Sequence, residues 1–399
     1  MKPRVLIAGA GLCGLTTALA LLQRGYDVRV FEQASELREV GAGVQLGSNG
    51  TRVLIALGLE AAMRRIVCEP TGKEIRLWTT GQTWPVFDLG VGSVQRYGAP
   101  YWMAHRGDFH AVLLQAVRAV APDAVSAGVA CTGFDQSDAA VTLHLANGEH
   151  DAGDVLLAAD GVHSAIRRQM FGEGRARFTG IMGWRGLVPM ERLPRHMRRL
   201  VGTNWVGHGG HVVTYPLRRG ELLNFVGAVE RDDWLVESWT QAGTREECAR
   251  DLGRWHDDVQ TIIRNIDTPF KWALLGRDPL SRFAQGRVCL LGDAAHPTLP
   301  FLAQGANMAL EDALIVARCL DACAVPAALQ CFEAMRLERT AAIVRGSADN
   351  TQRFHNPALA DAAGAADYID REFAADKIRQ RYDWLYQYDA TSVALSHYP

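Results

Sequence analysis

Gly9, Ala10, Gly11, Leu12, Cys13 and Gly14 form a G-x-G-x-x-G run, and Glu32 follows 18 residues after Gly14, with Gln33 beside it. Residues of these types at this spacing bind a dinucleotide. Gly9 permits a tight turn, Gly11 lets a pyrophosphate approach the backbone, and Gly14 lets a helix pack closely on a strand. The helix N-terminus then offers free N–H groups and a positive dipole end to the phosphates. A carboxylate at Glu32 accepts hydrogen bonds from a ribose 2′-hydroxyl and repels a 2′-phosphate. FAD or NAD therefore fits as the tightly held nucleotide, and NADP does not.

Two further carboxylates stand where apolar runs end. Asp160-Gly161 follows Val155 to Ala159, and Gly292-Asp293 follows Val288 to Leu291. A carboxylate at such a corner can bind a sugar-like hydroxyl. Gln304-Gly305-Ala306-Asn307 opens the next helical pattern, so its N–H groups would face an anion. A second kind of chemistry is carried by His211, Val213 and Tyr215, which strict alternation places on one face of a strand. One base, one apolar wall and one hydroxyl suit an aromatic pocket. The plainer alternatives are an ordinary sheet histidine and a core tyrosine.

The elements that must position these groups follow from periodicity. Val5 to Ala8 is a buried strand, Leu12 to Gln23 a helix stopped by Gly25, and Val28 to Phe31 a second strand. Together they make a β-α-β unit with a right-handed crossover. A long helical pattern runs from Gly305 to Leu320. Between the late strand-to-loop corners the period changes to two: Val212 to Leu217, a turn at Arg219-Gly220, then Leu222 to Val229, a hairpin. The chain is therefore expected to be α/β. A nucleotide-binding domain is split between residues 1–175 and 281–345. A β-sheet-rich insert occupies 176–280, and a helical C-terminal segment 346–399 ends in Tyr382, Trp384, Leu385, Tyr386 and Tyr388.

Bulk properties narrow the class. The chain has 399 residues, 42 Lys and Arg against 44 Asp and Glu, and 48% hydrophobic residues. That is a globular composition without the basic excess that a nucleic-acid partner requires. Eight cysteines occur without a C-x-x-C pair, so they are read as free thiols in a reducing compartment, with no metal site. The uncharged run between Arg4 and Arg24 imitates a signal peptide or membrane span. Its three glycines fit the nucleotide turn instead, and a cytoplasmic protein without a membrane partner is expected.

Asp160-Gly161-Val162-His163-Ser164-Ala165-Ile166-Arg167 resembles the D-G-x-x-S-x-x-R segment of flavoprotein hydroxylases, and Gly292-Asp293-Ala294-Ala295-His296-Pro297 resembles their G-D-A-A-H-P segment. With the N-terminal fingerprint, these are the three signatures of the group A (single-component) FAD monooxygenases, in the right order and across essentially the whole chain. The resemblance implies a para-hydroxybenzoate hydroxylase-like fold, with a Rossmann-like FAD domain and an inserted substrate domain. It implies non-covalent FAD, with NADH or NADPH as a transient electron donor, since no second G-x-G-x-x-G is present. Asp293 would meet the flavin ribityl chain, and Gly305, Ala306 and Asn307 the flavin N1–C2=O edge. Arg106 resembles an arginine that contacts FAD in relatives; its plainer reading is a surface salt bridge. Asp160 and Arg167 belong to a segment that serves FAD and the passing nicotinamide nucleotide. His296 belongs to the loop that shapes the flavin site and is not assigned to catalysis.

The chemistry implied is NAD(P)H-driven hydroxylation by O2 through a flavin C4a-hydroperoxide. That electrophile needs an electron-rich ring, and a phenol becomes far richer when deprotonated. A histidine base serves this near neutral pH. His211 to Leu217 and the run Tyr382 to Tyr386 resemble 3-hydroxybenzoate 6-hydroxylases, in which the matching histidine is the base. Leu299-Pro300-Phe301 instead resembles the salicylate hydroxylase branch. A small phenolic acid is thus expected as substrate, of the salicylate or 3-hydroxybenzoate type, with a hydroxypyridine carboxylate as the alternative. Arg185 is a candidate for the substrate carboxylate or a structural residue. The rival functions are another FAD enzyme of this fold, such as a halogenase or epoxidase, and a non-enzymatic flavin- or NAD-binding regulator. The W-x-W-x-I-P segment of halogenases is absent. Relatives allow a homodimer, and the aromatic C-terminal run fits an interface or its own core equally.

Overall fold

The computed structural model describes residues 2–37, 43–172, 174, 176–231 and 241–395. The uncharged N-terminal run lies at the centre of a six-stranded sheet. Its strand order is Ala284–Gln285, Val288–Leu290, Val155–Ala158, Arg4–Ala8, Asp27–Glu32, Val125–Ala127. The Arg4–Ala8 strand pairs in parallel on both sides, and Val5 to Ala8 are fully buried. Parallel strands covered on both faces read as continuous apolar runs. The helix Leu12–Leu22 is buried from Leu12 to Leu21 and packs on the helix Gly305–Ala322. A helix apolar all round is a buried one, which accounts for the resemblance of this segment to a membrane span. Among the described residues no helix is long and apolar enough to cross a membrane.

The second sheet has seven strands, in the order Phe270–Gly276, Arg177–Pro189, Leu222–Glu230, Gly210–Leu217, Val201–Gly207, Gly72–Leu77, Thr83–Asp88. The anticipated hairpin is present, with the 3-10 turn Arg218–Gly220 between its strands. The sheet is wider than the range 176–280 allows. Gly72–Leu77 joins it by parallel pairing to Val201–Gly207 and brings Thr83–Asp88 with it. Such a long-range parallel partner leaves no mark in local periodicity. The helix Ala327–Phe354 likewise runs unbroken through the boundary expected near residue 345.

The aromatic C-terminal run packs on its own chain. Tyr386 is 1% exposed and sits edge-on to Tyr97 and Tyr101, and Leu385 is buried, while Trp384 faces outward.

Candidate active site

The glycine turn has the geometry its spacing implies. Gly9 has φ +95°, and a Cβ there would lie 2.4 Å from Ala159 O; one on Gly14 would lie 1.9 Å from Gly9 O. A Cβ on Gly11 would meet nothing within 4 Å, so the space before the helix is open. Gly11 caps that helix without a side-chain hydrogen bond, leaving the amides of the first turn, from Leu12 and Cys13 onward, without an intrahelical acceptor. Glu32 Oε2 accepts the Ala10 N–H at 2.8 Å and its Oε1 the Ala34 N–H at 2.9 Å, so Glu32 holds the turn in place. His110 Nε2 supports the same turn, 2.8 Å from Ala10 O. Gln33 is exposed at the strand end.

Asp293 is exposed on the 3-10 turn Gly292–Ala294, which packs so tightly on the first helix that a Cβ on Gly292 would lie 3.0 Å from Cys13 Sγ. Asp293 is close enough to push the Cys13 thiol upward, after burial and Asp312. Asp160 Oδ2 accepts the Ala165 N–H at 2.9 Å, while its Oδ1 is buried with no partner among the described residues; burial raises this carboxyl above its ordinary value. Arg106 opens the helix Arg106–Val120 beside the end of the Gly43–Leu46 strand and lies near enough to Arg185 to disfavour its charge.

The helix Gly305–Ala322 also starts without a side-chain cap, and its first bond runs from Met308 N–H to Gln304 O. The amides of Gly305, Ala306 and Asn307 are thereby left for an anion. The Asn307 side chain is committed elsewhere. It is fully buried, donates to Gln45 O and Ala303 O, and accepts the Gly47 N–H at 2.9 Å. It fixes the Gly43–Leu46 strand against this helix.

That strand is also where the two halves meet. Gly43 N–H donates to Asn224 Oδ1 at 2.8 Å, and a Cβ on Gly43 would lie 2.4 Å from the Tyr215 ring. The face of the seven-stranded sheet under Gly43 can be read from register, because directly paired residues of an antiparallel sheet project to the same side. His211, Ala228, Gly183 and Trp272 form one row; Val213, Val226, Arg185 and Phe270 the next; Tyr215, Asn224 and Leu187 the third. His211, Arg185 and Tyr215 therefore share one face. His211 and Tyr215 do not meet, since four residues along a strand span roughly 13 Å.

Three side chains set the chemistry of this face. His211 is 1% exposed and its ring lies 4.8 Å from that of Phe301. Burial and the neighbouring His355 hold its pKa well below the ordinary histidine value, so it is neutral. Its Nδ1 is 2.7 Å from His355 Nε2, and His355 Nδ1 is 2.9 Å from Glu230 Oε1. Burial keeps Tyr215 un-ionised. Arg185 is buried over the Phe270 ring, and burial followed by the Arg106 charge lowers its pKa to about 10. A cavity of about 230 Å³ whose lining includes Arg185, Leu187, Asn224, Asp267 and Phe270 opens at this end of the face; His211 and Tyr215 lie outside it.

Sequence reasoning missed His355, Glu230, Asn224 and Asp312. Only the asparagine had a local signal, being on the second hairpin strand with the core-facing phase. The others meet their partners across 16 to 144 residues. Taken together, an open glycine turn, two uncapped helix starts, an exposed Asp293 and a buried Asp160 oxygen without a partner among the described residues make a donor and acceptor set that fits FAD.

Comparison with known proteins agrees with this geometry. Residues 2–347 match a family described as an FAD binding domain. The chain is 36% identical over 395 residues to a 3-amino-4-hydroxybenzoate 2-monooxygenase of Streptomyces platensis, covering 98% of each. It is 36% identical over 357 residues to a 6-hydroxynicotinate 3-monooxygenase of Pseudomonas fluorescens, covering 88% of this chain and 91% of the other. Among solved structures, Klebsiella pneumoniae HpxO complexed with FAD and uric acid superposes with a TM-score of 0.81 at 28% identity, over 94% of this chain and 96% of that one.

Proposed function

The chain belongs to the group A FAD-dependent aromatic hydroxylases, and from that premise we propose that it hydroxylates a small aromatic acid whose ring hydroxyl lies opposite its carboxylate. The Gly9–Gly14 turn, Glu32, Asp293 and the start of the Gly305–Ala322 helix would hold FAD non-covalently, and FAD bound there and reduced by NADH or NADPH would supply O2 activation. The protein's own residues then have three tasks at the ring.

His211 takes the proton from the ring hydroxyl oxygen. A free phenol has a pKa of about 10, so ionising it near pH 7.5 costs roughly 3 kcal/mol, and a placed base lowers that barrier. A neutral, buried imidazole can accept; Nδ1 faces His355, which leaves Nε2 as the ring nitrogen for the substrate. Arg185 holds the carboxylate. It is two strands across from the His211 strand and one row along, roughly 10 Å by 7 Å at sheet spacing. That spacing would let the two side chains contact opposite ends of a ring bound between them. Tyr215, neutral and packed under Gly43, closes the third side with a hydroxyl donor.

The observation that carries the proposal is the shared sheet face of His211 and Arg185. Two groups of relatives support it, because 3-amino-4-hydroxybenzoate and 6-hydroxynicotinate both place hydroxyl and carboxylate at opposite ring positions; the 3-hydroxybenzoate 6-hydroxylases, 33% identical in one case, act on a ring with the hydroxyl one position nearer. Within the small aromatic acids anticipated from the sequence, this favours the hydroxypyridine carboxylate alternative and its benzoate counterpart over the salicylate or 3-hydroxybenzoate type. The test is product identification by mass spectrometry after incubation with NADH, NADPH, O2 and a panel of 2-, 3- and 4-hydroxybenzoates, 3-amino-4-hydroxybenzoate and 6-hydroxynicotinate. Oxygenated product from the para-hydroxy acids supports the reading. Turnover confined to 2- or 3-hydroxybenzoate overturns the substrate assignment.

A further inference from the structure

His211, His355 and Glu230 form an unbroken line from the sealed interior to the surface. The His355 side chain is 2% exposed, and that of Glu230 is 54% exposed. Phe301 and Phe354 flank the His211 ring at 4.8 and 5.1 Å and exclude water from its sides. His355 ends the Ala327–Phe354 helix, where its backbone O accepts from Gly209 N–H and its side chain reaches the end of the Leu222–Glu230 strand. The groups facing it are His211, Glu230 and the exposed His208.

The carboxylate sets every tautomer along the line. Ionised Glu230 only accepts, so His355 Nδ1 carries the proton donated to it. Burial disfavours charge on His355, so its Nε2 is a bare acceptor. His211 Nδ1 must then be the donor across the 2.7 Å gap. Since His211 is neutral, its Nε2 is bare and ready to accept.

We propose that His355 and Glu230 are a proton relay that carries the substrate's hydroxyl proton from His211 to solvent. The inference rests on His211 as the base. The substrate O–H bond breaks as a bond to His211 Nε2 forms. The His211 Nδ1 proton passes to His355 Nε2, the His355 Nδ1 proton to the Glu230 carboxylate, and Glu230 releases it to water. One proton enters and one leaves, and the substrate keeps the electron pair as phenolate. His355 and Glu230 touch neither substrate nor flavin; they are positioning and relay residues. The relay answers a difficulty at His211, where a lasting positive charge is disfavoured by burial.

Two measurements on the holoenzyme test the relay. Nitrogen-15 NMR of histidine-labelled protein without substrate should show His211 and His355 as Nδ1–H tautomers; a proton resident on His211 Nε2 overturns the proposal. Stopped-flow mixing with the best acid of the panel, starting with 3-amino-4-hydroxybenzoate, then reads ring-hydroxyl ionisation in the ultraviolet. His355→Gln and Glu230→Gln should each slow it at least about 10-fold, with KM little changed and partial rescue by added imidazole for His355→Gln. The half-exposed Glu230 can be changed without disturbing the core, so the second variant remains informative if His355→Gln is unstable. Slowing in His211→Gln alone removes the relay and leaves the base. Unchanged ionisation in all three variants removes both.

Discussion

His296 Nε2 lies 2.6 Å from Asp312 Oδ2, with both side chains buried. The same oxygen accepts the Gly292 N–H at 2.8 Å, and Asp312 Oδ1 faces Arg336 Nε at 2.7 Å. The histidine of the Gly292–Pro297 segment is therefore a strut. It fixes the turn that presents Asp293, and Arg336 extends the bracing to the Ala327–Phe354 helix.

Removing the carboxylate charge should loosen that turn. Asp312→Asn leaves Arg336 with one fewer counter-charge in a fully buried site, and breaking such a pair costs about 3–5 kcal/mol. Urea unfolding of the holoenzyme measures it; a loss below 1 kcal/mol rules out the strut. His296, Arg336 and the Gly292 N–H outweigh burial and hold the Asp312 pKa below its ordinary value. Its contribution is thus present above about pH 4, the unfolded carboxylate value, and is lost as pH falls through the lower folded value.

His211→Gln should keep flavin bound and lower hydroxylation by about 10²- to 10⁴-fold, the usual worth of a general base. Product formation per NAD(P)H consumed should fall as well. An unaltered hydroxylation rate takes His211 out of the mechanism.

Arg185→Gln should raise KM for the carboxylate substrate by roughly 10- to 100-fold, from loss of a charge-assisted hydrogen bond of about 1.5–3 kcal/mol. The matching phenol without a carboxylate should react equally with wild type and variant. An equal loss on both substrates would show that Arg185 supports the sheet instead.

Glu32→Ala removes the acceptor for the Ala10 and Ala34 N–H groups, together with the acceptor we propose for the ribose. Flavin occupancy after gel filtration should drop, with an affinity loss on the order of 10-fold or more. Full occupancy would count against a nucleotide role.

The holoenzyme should lose stability in mild acid. Burial lowers the folded pKa values of His211, His355 and His105. The unfolded chain binds protons more readily, so stability is full above about pH 6.5 and declines as pH falls below it, by up to about 1.4 kcal/mol per unit for each buried group. Thermal melts from pH 7.5 to 5 follow this, and His211→Gln should flatten the slope. A wild-type midpoint that does not move across that range would contradict the buried, neutral state.

The nucleotide end was legible because its signals are local. Gly9, Gly14 and Glu32 act within one β-α-β unit, where a few ångströms of backbone decide which residue is tolerated, and the Gly210–Leu217 and Leu222–Glu230 hairpin follows from alternation alone. Tertiary structure decided the rest. Register across three strands put Arg185 on the face of His211, and kept Tyr215 out of its reach. The C-terminal tyrosines chose their own core because Tyr97 and Tyr101 stand where they fold back. His355 and Glu230 gain meaning only from meeting His211, across 144 residues in the case of His355. A hydrogen bond depends on distances of about 3 Å, and no periodicity in a chain encodes a distance between segments that far apart.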